Sequence, residues 1–268
     1  MEKKYVLLTG ATGGLGKAFA YELIRKNKNL ILTATKLERL EQFKTELLEI
    51  NPNISVVCCE CDMSSEQSRK KLFDFVSNGE FKIEMLINNA GYITEGEVAS
   101  VTPESIRQAV RVNCEGTADI TKWVVDHHQN EDKLEILTVA SLAAEYPMPY
   151  MAVYAASKAF VLSFMTALRE EVKDKNIVVS TVIPSGIYTT QAMKDAIASQ
   201  GLGGKLSSMT PEKIAQIALK KMGKAIIVPG TFNKLTRFMS EFASYTMLAK
   251  ITGKRWRKSQ KKRNMIKD

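Results

Sequence analysis

The sequence predicts an α/β fold: a Rossmann-like, doubly wound parallel sheet of about seven strands with helices on both faces. First, short apolar runs alternate with amphipathic stretches along the whole chain, which is the order produced by strands joined through helical crossovers. Second, several runs are apolar almost throughout, as at 177–183, which is typical of strands buried on both faces. Third, a glycine-rich turn separates the first apolar run from the first helical pattern.

The predicted elements follow this alternation from end to end. Strands are expected near residues 4–9, 29–35, 54–60, 83–88, 133–140, 177–183 and 225–228. Helices are expected near residues 14–27, 37–49, 65–77, 103–127, 151–174 and 211–222.

The segment 185–210 is expected to be a long loop, because it contains several glycines and serines between the sixth strand and the last of these helices. Loops longer than ~12–15 residues are uncommon and often functional, so we interpret this one as a lid over the substrate. The predicted division is a catalytic domain at 1–230, which includes the lid, and a C-terminal helix with a basic tail at 231–268.

Composition and charge narrow the class of protein. The length of 268 residues suits one domain or at most two, and 45% hydrophobic residues is ordinary for a folded core. No apolar run approaches the ~20 residues needed to cross a bilayer, and the first strand begins too early to leave room for a signal peptide, so we expect a cytoplasmic protein. Of the net charge of +9, residues 250–268 carry +8, from nine basic residues and one acidic residue. The remaining +1 does not support a nucleic-acid-binding core.

Three of the four cysteines, Cys58, Cys59 and Cys61, cluster near the third predicted strand, and the fourth is Cys114. Such a cluster can bind a metal, but no second CxxC accompanies it and both histidines lie far away in sequence. We interpret the cluster as small apolar residues of a buried strand and expect no metal site. Reduced thiols also fit a cytosolic compartment.

A tyrosine and a lysine at helical spacing indicate proton-transfer chemistry. Tyr154 and Lys158 are four residues apart, so on a helix they share one face. Tyrosine normally titrates near pH ~10, and a nearby cation lowers the pKa of the phenol by favouring the phenolate. The pair could therefore exchange a proton with an alcohol or carbonyl oxygen near neutral pH. By itself the spacing is a weak signal, since a surface helix can also carry a Tyr and a Lys.

Glycine- and asparagine-containing motifs strengthen this interpretation. Residues 9–16 read TGATGGLG and lie between the first predicted strand and helix, where glycines let backbone N–H groups approach a pyrophosphate at a helix N-terminus. Residues 88–91 read NNAG and follow a predicted strand, while Asn113 and Ser141 come later, ahead of Tyr154.

On these motifs the chain resembles the short-chain dehydrogenase/reductase family, in its single-domain branch. The resemblance extends from about residue 4 to about residue 230 and adds YAASK at 154–158 and residues 184–189 to the motifs above. One departure is Ser185, where the family usually has glycine after the proline. The resemblance implies reversible hydride transfer between a nicotinamide and a secondary alcohol or ketone.

The resemblance also implies roles for four candidate catalytic residues. Tyr154 would be the general acid/base, and Lys158 would lower its pKa and hold the nicotinamide ribose. Ser141 would bind the substrate oxygen and stabilise the charge that develops there. Asn113 would hold a water that connects Lys158 to solvent.

Cofactor selectivity is expected at the end of the second strand, where an NAD-selective site uses an acid to bind the ribose hydroxyls. Thr35 and Lys36 occupy that position, and a hydroxyl and a cation suit a 2′-phosphate, so we expect NADP(H) rather than NAD(H). With the positions that the resemblance implies, the candidate cofactor-binding residues are Gly10, Thr12, Gly13, Leu15, Gly16, Thr35, Lys36, Asp62, Met63, Asn89, Ala90, Gly91, Tyr154, Lys158, Pro184, Ile187 and Thr189.

The residues expected around the substrate are bulky and apolar. They comprise residues 146–151 and, from the lid, Ile187, Tyr188 and Met193. Flexible methionines and flat aromatic rings suit a large apolar ligand such as a steroid, a bile acid or an acyl-type carbonyl compound. Ordinary packing of the lid on the body explains the same residues equally well.

The C-terminal region has a pattern of its own. Apolar residues from Leu235 to Ala249 recur at spacings of three and four, and residues 254–263 are strongly basic around Trp256. An apolar stripe beside a basic run can bind an anionic membrane surface, with Trp256 as an interfacial residue. Alternatively, a helix packs on a neighbouring subunit of a homo-oligomer and a disordered end follows.

The function predicted from these observations is NADP(H)-dependent interconversion of a secondary alcohol and a ketone. The alternative is a catalytically silent nucleotide-sensing or scaffold protein with the same fold. The complete set of proton-transfer candidates argues against that alternative, because a pure binder has no need of them. A sugar-nucleotide epimerase or dehydratase is disfavoured by the short chain and by the spacing of the glycines at 9–16.

Overall fold

A computed structural model describes residues 3–129 and 131–267 of the chain. Seven parallel strands form its sheet, in the spatial order β3-β2-β1-β4-β5-β6-β7. The strands are β1 (Lys4–Thr9), β2 (Asn29–Ala34), β3 (Val56–Glu60), β4 (Lys82–Asn88), β5 (Leu134–Val139), β6 (Ile177–Val182) and β7 (Ile226–Ile227). The predicted α/β fold class is confirmed.

The strand order reverses at the centre of the sheet, where β1 lies between β2 and β4. Leu7 on β1 is in register with Ile31 on β2 and with Leu86 on β4. The chain winds outward in one direction from β1 and in the other from β4, so the loops that follow these two strands diverge. They leave a crevice at the carboxyl ends of the strands, which is the usual ligand position in such sheets.

Helices cover both faces of the sheet. They are α1 (Gly14–Ile24), α2 (Leu37–Ile50), α3 (Glu66–Asn78), α4 (Pro103–Val110), α5 (Thr117–Asp126), α6 (Ala152–Glu171), α7 (Gln191–Ser199), α8 (Gly201–Ser207), α9 (Pro211–Lys220), α10 (Thr231–Ser240) and α11 (Tyr245–Lys267). One apolar layer includes Phe19, Phe43 and Ile214 of α1, α2 and α9, and the other includes Leu72 and Met165 of α3 and α6. Burial of the strands from both sides explains their near-continuous apolar runs.

The helix expected at 103–127 is present without a break, as α4 and α5 joined by a π-helical turn at Arg111–Gly116 that the sequence did not indicate. The backbone of Gly116 packs closely on the loop after β3. A Cβ added there would lie 2.6 Å from the carbonyl oxygen of Met63. This tertiary contact favours the extra residue in the turn, and the turn contains Asn113.

The loop expected at 185–210 is wrong, since most of this segment is helical. Thr190 caps α7 by accepting a hydrogen bond of 3.2 Å from the backbone N–H of Met193. Gly201 has a φ of +69° and starts α8. Ile197 of α7 is only 3% exposed. Burial of this side chain stabilises a segment whose glycine and serine content indicated a loop.

The C-terminal stripe divides between two helices, because α10 ends at Ser240 and α11 begins at Tyr245. The helix α11 lies on the body of the same chain. Ser259 Oγ is 2.6 Å from Ser199 Oγ, and Thr252 donates a hydrogen bond of 2.9 Å to the carbonyl oxygen of Pro147.

Trp256 is only 8% exposed, so the expectation that its ring reaches a membrane is wrong in this structure. The expected disordered end is wrong up to Lys267, where the described helix ends. The side chains of 261–267, which contribute part of the basic run, lie outside the described residues. Over 3–129 and 131–267, every helix is either too short or too polar to cross a membrane.

The cysteine cluster lies on β3 and directly after it. Burial raises the pKa of Cys58 to about 12 and that of Cys59 to about 11, so both thiols stay neutral and unreactive near pH 7. Within the described parts of the chain, no group of three or more His, Cys, Asp and Glu side chains is arranged to hold a metal ion.

Candidate functional site

The glycine turn after β1 and the loop after β4 are joined by hydrogen bonds. Thr9 Oγ1 accepts hydrogen bonds of 3.0 Å from the backbone N–H groups of both Asn89 and Ala90. The side chain of Asn89 donates bonds of 3.0 Å to the carbonyl oxygens of Thr9 and Gly10. Gly10 has a φ of +63°, and a Cβ there would lie 2.9 Å from the Cα of Ala90. The amide of Asn89 therefore holds the two loops together.

The helix α1 starts directly after this turn, with Gly13 at its N-cap position. No side chain caps the helix, and its first turn contains no acidic residue. A Cβ on Gly16 would lie 2.2 Å from the carbonyl oxygen of Gly10, so only glycine allows the turn to fold this tightly. The backbone N–H groups at this helix end can bind an anion such as a pyrophosphate.

A crevice of about 440 Å³ opens over the turn and runs along the carboxyl ends of the strands. Of the candidate cofactor-binding residues, all except Lys36 line it. The crevice also contacts residues that the sequence did not single out, including Ala34, Cys61, Gln108, Val112 and Val139. Its length, its glycine floor and the uncapped helix end fit a dinucleotide.

One end of the crevice is formed by the loops after β2 and β3. Thr35 lines it, whereas the neighbouring Lys36 is exposed at the N-cap position of α2 and does not. Asp62 lines the crevice while its carboxylate accepts bonds of 2.9 and 2.7 Å from the backbone N–H and hydroxyl of Ser64. The cap of α3 is Ser65, so Asp62 does not cap that helix.

At the other end, Ser141 and Tyr154 meet, which the sequence spacing alone did not establish. Ser141 lies two residues after β5, is 8% exposed and accepts a hydrogen bond of 3.1 Å from the backbone N–H of Ala143. Tyr154 lies in the first turn of α6, and both Tyr154 and Ser141 line the crevice. Burial raises the pKa of Tyr154, and hydrogen bonding to Ser141 opposes part of that rise.

Lys158 follows one helical turn after Tyr154 and is 5% exposed. Its ammonium donates a hydrogen bond of 2.8 Å to the carbonyl oxygen of Val139. Burial lowers the pKa of Lys158 to about 8, and the nearby Cys114 thiol opposes this shift. Loss of hydration dominates the environment of the phenol, so the lowering of the pKa of Tyr154 by Lys158 stays a prediction.

Asn113 is fully buried behind the crevice, within the π-helical turn. Its Oδ1 accepts a hydrogen bond from the backbone N–H of Tyr92, and its Nδ2 donates to the carbonyl oxygen of Tyr92 and to Ser157 Oγ, each at 2.8 Å. A Cβ built on Gly91 would lie 3.5 Å from both Asn113 Oδ1 and Lys158 Nζ. Glycine therefore leaves a small space between the amide and the ammonium, and Ser157 is a partner that the sequence did not indicate.

A second cavity of about 150 Å³ adjoins the crevice at Ser141 and Tyr154. Tyr146, Met148, Met151 and Met193 line it, in agreement with the apolar residues expected around a substrate. The C-terminal helix also contributes to its lining, which the sequence did not indicate. These side chains are Thr252, Arg255 and Trp256.

Comparison with known proteins gives the family. The sequence profile of short chain dehydrogenase matches residues 4–201. The chain is 31% identical over 225 residues to a very-long-chain 3-oxoacyl-CoA reductase of Coccidioides immitis, covering 82% of this chain and 62% of that protein. It is 29% identical over 188 residues to human 17-beta-hydroxysteroid dehydrogenase type 3, covering 69% of this chain and 60% of that protein. These matches thus span somewhat under two thirds of the relatives' own lengths.

Solved structures agree on the fold. A structure from a study of 7beta-hydroxysteroid dehydrogenase stereoselectivity superposes with a TM-score of 0.83 at 18% identity, over 93% of this chain and 96% of that one. A short-chain dehydrogenase from Sphingobium yanoikuyae in complex with NADPH gives 0.74 at 22% identity, over 89% and 94%. A 3-ketoacyl-(acyl-carrier-protein) reductase from Brucella melitensis complexed with NADH gives 0.71 at 23% identity, over 85% and 97%. With the profile match over most of its length, the chain belongs to the short-chain dehydrogenase/reductase family.

Proposed function

We propose that this protein is an NADP(H)-dependent oxidoreductase that interconverts a ketone and a secondary alcohol on a bulky apolar substrate. The observation that carries the proposal is the meeting of Ser141 and Tyr154 at the junction of a crevice fitted for a dinucleotide and an apolar cavity. A carbonyl group placed there would lie between the two hydroxyls.

The crevice residues would hold a nicotinamide dinucleotide, whose reduced form would supply the hydride needed at the carbonyl carbon. Tyr154 gives its phenolic proton to the carbonyl oxygen, so the ketone becomes an alcohol and the balance of charge is kept. The raised pKa of Tyr154 keeps the phenol protonated at neutral pH, which is the form that reduction consumes. Ser141 donates a hydrogen bond to the same oxygen as negative charge develops on it.

Lys158 and Asn113 support this chemistry from behind the phenol. The ammonium of Lys158 is close enough to the crevice to bind ribose hydroxyls and to stabilise the phenolate that proton transfer leaves behind. The space beside Gly91 is bounded by Asn113 Oδ1 and Lys158 Nζ, two groups that can hold a water. Such a water would return a proton to Tyr154 through Lys158.

The preference for NADP(H) rests on the end of β2. Thr35 lines the crevice where an acid would repel a 2′-phosphate, and Lys36 is an exposed cation beside it. Solved relatives of the same fold bind NADPH in one case and NADH in another, so the fold alone does not determine the choice.

The substrate class rests on the apolar cavity and on the relatives. The cavity's methionines and aromatic rings suit a rigid or long-chain apolar carbonyl compound. Two relatives are named for a very-long-chain 3-oxoacyl-CoA and for a hydroxysteroid, which are both bulky and apolar.

For the cellular setting, we infer a peripheral contact with an anionic membrane surface from the cytoplasmic side. Three apolar side chains of α10 and one just after it are 55 to 76% exposed: Leu235, Phe238, Met239 and Phe242. Exposed lysines accompany them on α10 and α11, and such a combination attracts anionic lipids. Met239→Glu should weaken sedimentation with anionic vesicles. A change in oligomer size instead, with no vesicle binding by the wild type, would assign these side chains to contact between subunits of a homo-oligomer.

The catalytic proposal is tested by oxidation of NADPH with a panel of steroid and long-chain ketones, in wild type and in Tyr154→Phe. Loss of the phenolic proton should lower kcat by about 10³-fold or more, while fluorescence titration still detects NADPH binding with similar affinity. Retention of most of the wild-type kcat would overturn the assignment of Tyr154. Tight NADPH binding with no turnover of any ketone or alcohol would favour the nucleotide-sensing alternative.

A further inference from the structure

The cavity beside Tyr154 is lined mainly by apolar side chains and also by one cationic side chain. Ser141 and Tyr154 line both this cavity and the crevice, and methionine and aromatic side chains line the cavity as well. Gln200, at the end of α7, and Arg255 of α11 line it as well. A ligand that fills this cavity would therefore contact both the reacting hydroxyls and a guanidinium.

Arg255 is held in place by the packing of α11 on the body. On one side of it, Trp256 is buried, and Ser259 Oγ lies 2.6 Å from Ser199 Oγ. On the other side, Thr252 donates to the carbonyl oxygen of Pro147. These contacts fix the part of the helix from which the guanidinium extends along the lid, where a Cβ on Gly203 would lie 3.7 Å from Arg255 Nη2.

Counting bonds to the described residues, the guanidinium of Arg255 has most of its hydrogen-bonding capacity left for a ligand. Its Nη2 donates a bond of 2.9 Å to the neutral amide oxygen of Gln200, which uses one of five N–H donors. The other two arginines of 231–260 are engaged away from this cavity. Arg237 pairs with Glu145 at 2.7 Å, and Arg257 donates to the phenolic oxygen of Tyr150 at 3.2 Å.

One acidic side chain, Glu95, also lines the cavity, so the cavity lining contains both a positive and a negative charge. Glu95 accepts a hydrogen bond of 2.7 Å from Gln260, farther along α11 than Arg255. An anionic group would therefore be bound on the side of Gln200 and Arg255, where the amide and the guanidinium both present N–H donors. Repulsion from Glu95 disfavours the opposite side.

We propose that Arg255 binds the anionic end of the substrate, an inference that rests on the proposed ketone/alcohol chemistry. The substrate would be an apolar carbonyl compound that carries a carboxylate or phosphate at the end remote from the reacting carbon. Arg255 would act through binding, since a guanidinium stays protonated and takes no part in proton transfer. Its planar donor set matches both anions, which lysine does less well.

The experiment compares one ketone with and without its negative charge. An oxo-substituted cholanoic acid and its methyl ester share a steroid skeleton, and a long-chain oxo fatty acid and its methyl ester provide a linear pair. The variants are Arg255→Gln and, as matched control, Arg257→Gln, which removes the same charge two residues along α11 from a side chain that does not line this cavity.

Wild type should prefer the acid over the ester in kcat/KM for the skeleton that it accepts. Arg255→Gln should lower kcat/KM for the acid by about five- to tenfold, mainly through KM, and change that for the ester less than twofold, because an interaction at a partly exposed rim is weaker than a buried one. Arg257→Gln should leave kcat/KM for the acid and kcat/KM for the ester near the wild-type values. Glu95→Gln should favour the acid further.

Equal losses for acid and ester in Arg255→Gln, or equal effects of the two arginine variants, would overturn the proposal while leaving the ketone chemistry intact. If wild type reduces neither skeleton, the proposed function fails on these compounds, and binding decides the present proposal by itself. Quenching of tryptophan fluorescence should then show tighter binding of the acid than of the ester in the presence of NADPH, and Arg255→Gln should abolish that difference. Equal binding of acid and ester by wild type would also overturn it.

Discussion

Lys158 donates a hydrogen bond of 2.8 Å to the carbonyl oxygen of Val139, the last residue of β5. The bond joins α6 to the end of the strand that precedes Ser141. It thereby sets the position of an ammonium that has been removed from water. Because burial lowers the pKa of Lys158 to about 8, the protein bears a cost in stability for keeping this charge.

Replacement of that lysine should separate stability from activity. Lys158→Met should abolish turnover. It should nevertheless raise the free energy of unfolding of the cofactor-free protein by about 1–2 kcal/mol at pH 7. Burying the ammonium destabilises the folded state by more than leaving the carbonyl oxygen of Val139 without its hydrogen bond does. The pKa is lowered on folding, so the cost is full below about pH 8 and disappears as pH rises towards the ordinary value of 10.5. Urea denaturation of wild type and variant at pH 7 and pH 10 measures the difference in the free energy of unfolding at each pH. A variant that is less stable than wild type at pH 7 would contradict it.

Cofactor preference should change at Thr35. Thr35→Asp should lower kcat/KM for NADPH by at least about tenfold and raise the ratio of NADH to NADPH activity, because a carboxylate would face the 2′-phosphate. Thr45→Asp makes the same change at an exposed position of α2 outside the crevice and serves as control. A wild type that already prefers NADH in steady-state kinetics would show that our interpretation of β2 is incorrect.

Arg69 should position the loop that carries Met63. Its guanidinium is 2% exposed and bonds to the carbonyl oxygen of Met63 and to Asp119 at 2.8 Å, and also to Glu115. Arg69→Met should lower the free energy of unfolding by about 1–3 kcal/mol. This is less than is usual when one partner of a buried ion pair is removed, because both carboxylates are half-exposed and can be hydrated.

The same variant should raise KM for the cofactor with less effect on kcat, since Met63 lines the crevice and lies far from the reacting hydroxyls. Lys71→Met, an exposed position on the same helix, is the control. A Tm within about 1 °C of wild type by differential scanning calorimetry would be inconsistent with this role.

Removal of the C-terminal helix should affect the substrate cavity. Truncation after Ala249 deletes Thr252, Arg255 and Trp256, so KM for bulky ketones should rise by about tenfold or more while NADPH titration is little changed. Truncation after Gln260 removes much of the basic tail but keeps these three residues and should retain wild-type kinetics. Equal kinetics for both truncated forms would mean that α11 has no part in substrate binding.

Much of the fold could be predicted because its determinants are local. The strands were found within a few residues since their apolar runs reflect burial on both faces, and the turn at Gly10 was found because positive φ favours glycine. Tyr154 and Lys158 were placed on one face of a helix by spacing alone, and the structure has both within α6.

The remaining features depend on contacts between residues distant in the chain. The π-helical turn around Asn113 is stabilised by Tyr92, Ser157 and the approach of Gly116 to the loop after β3, none of which is a property of residues 103–127 themselves. The segment 185–210 forms two helices because Ile197 is buried against the body of the protein. The helix propensities of its residues do not predict that burial.

Sequence by itself determined the alternation of strand and helix, the glycine turn at the crevice and the spacing of the tyrosine and lysine, because periodicity and backbone conformation are properties of neighbouring residues. Only the tertiary structure decided that Trp256 is buried and that Arg255 lines the cavity beside Tyr154, since both depend on where α11 packs. It also decided the direction of the pKa shift of Tyr154. Hydration is lost only when distant parts of the chain come together around a group, and a pattern of neighbours carries no measure of that loss.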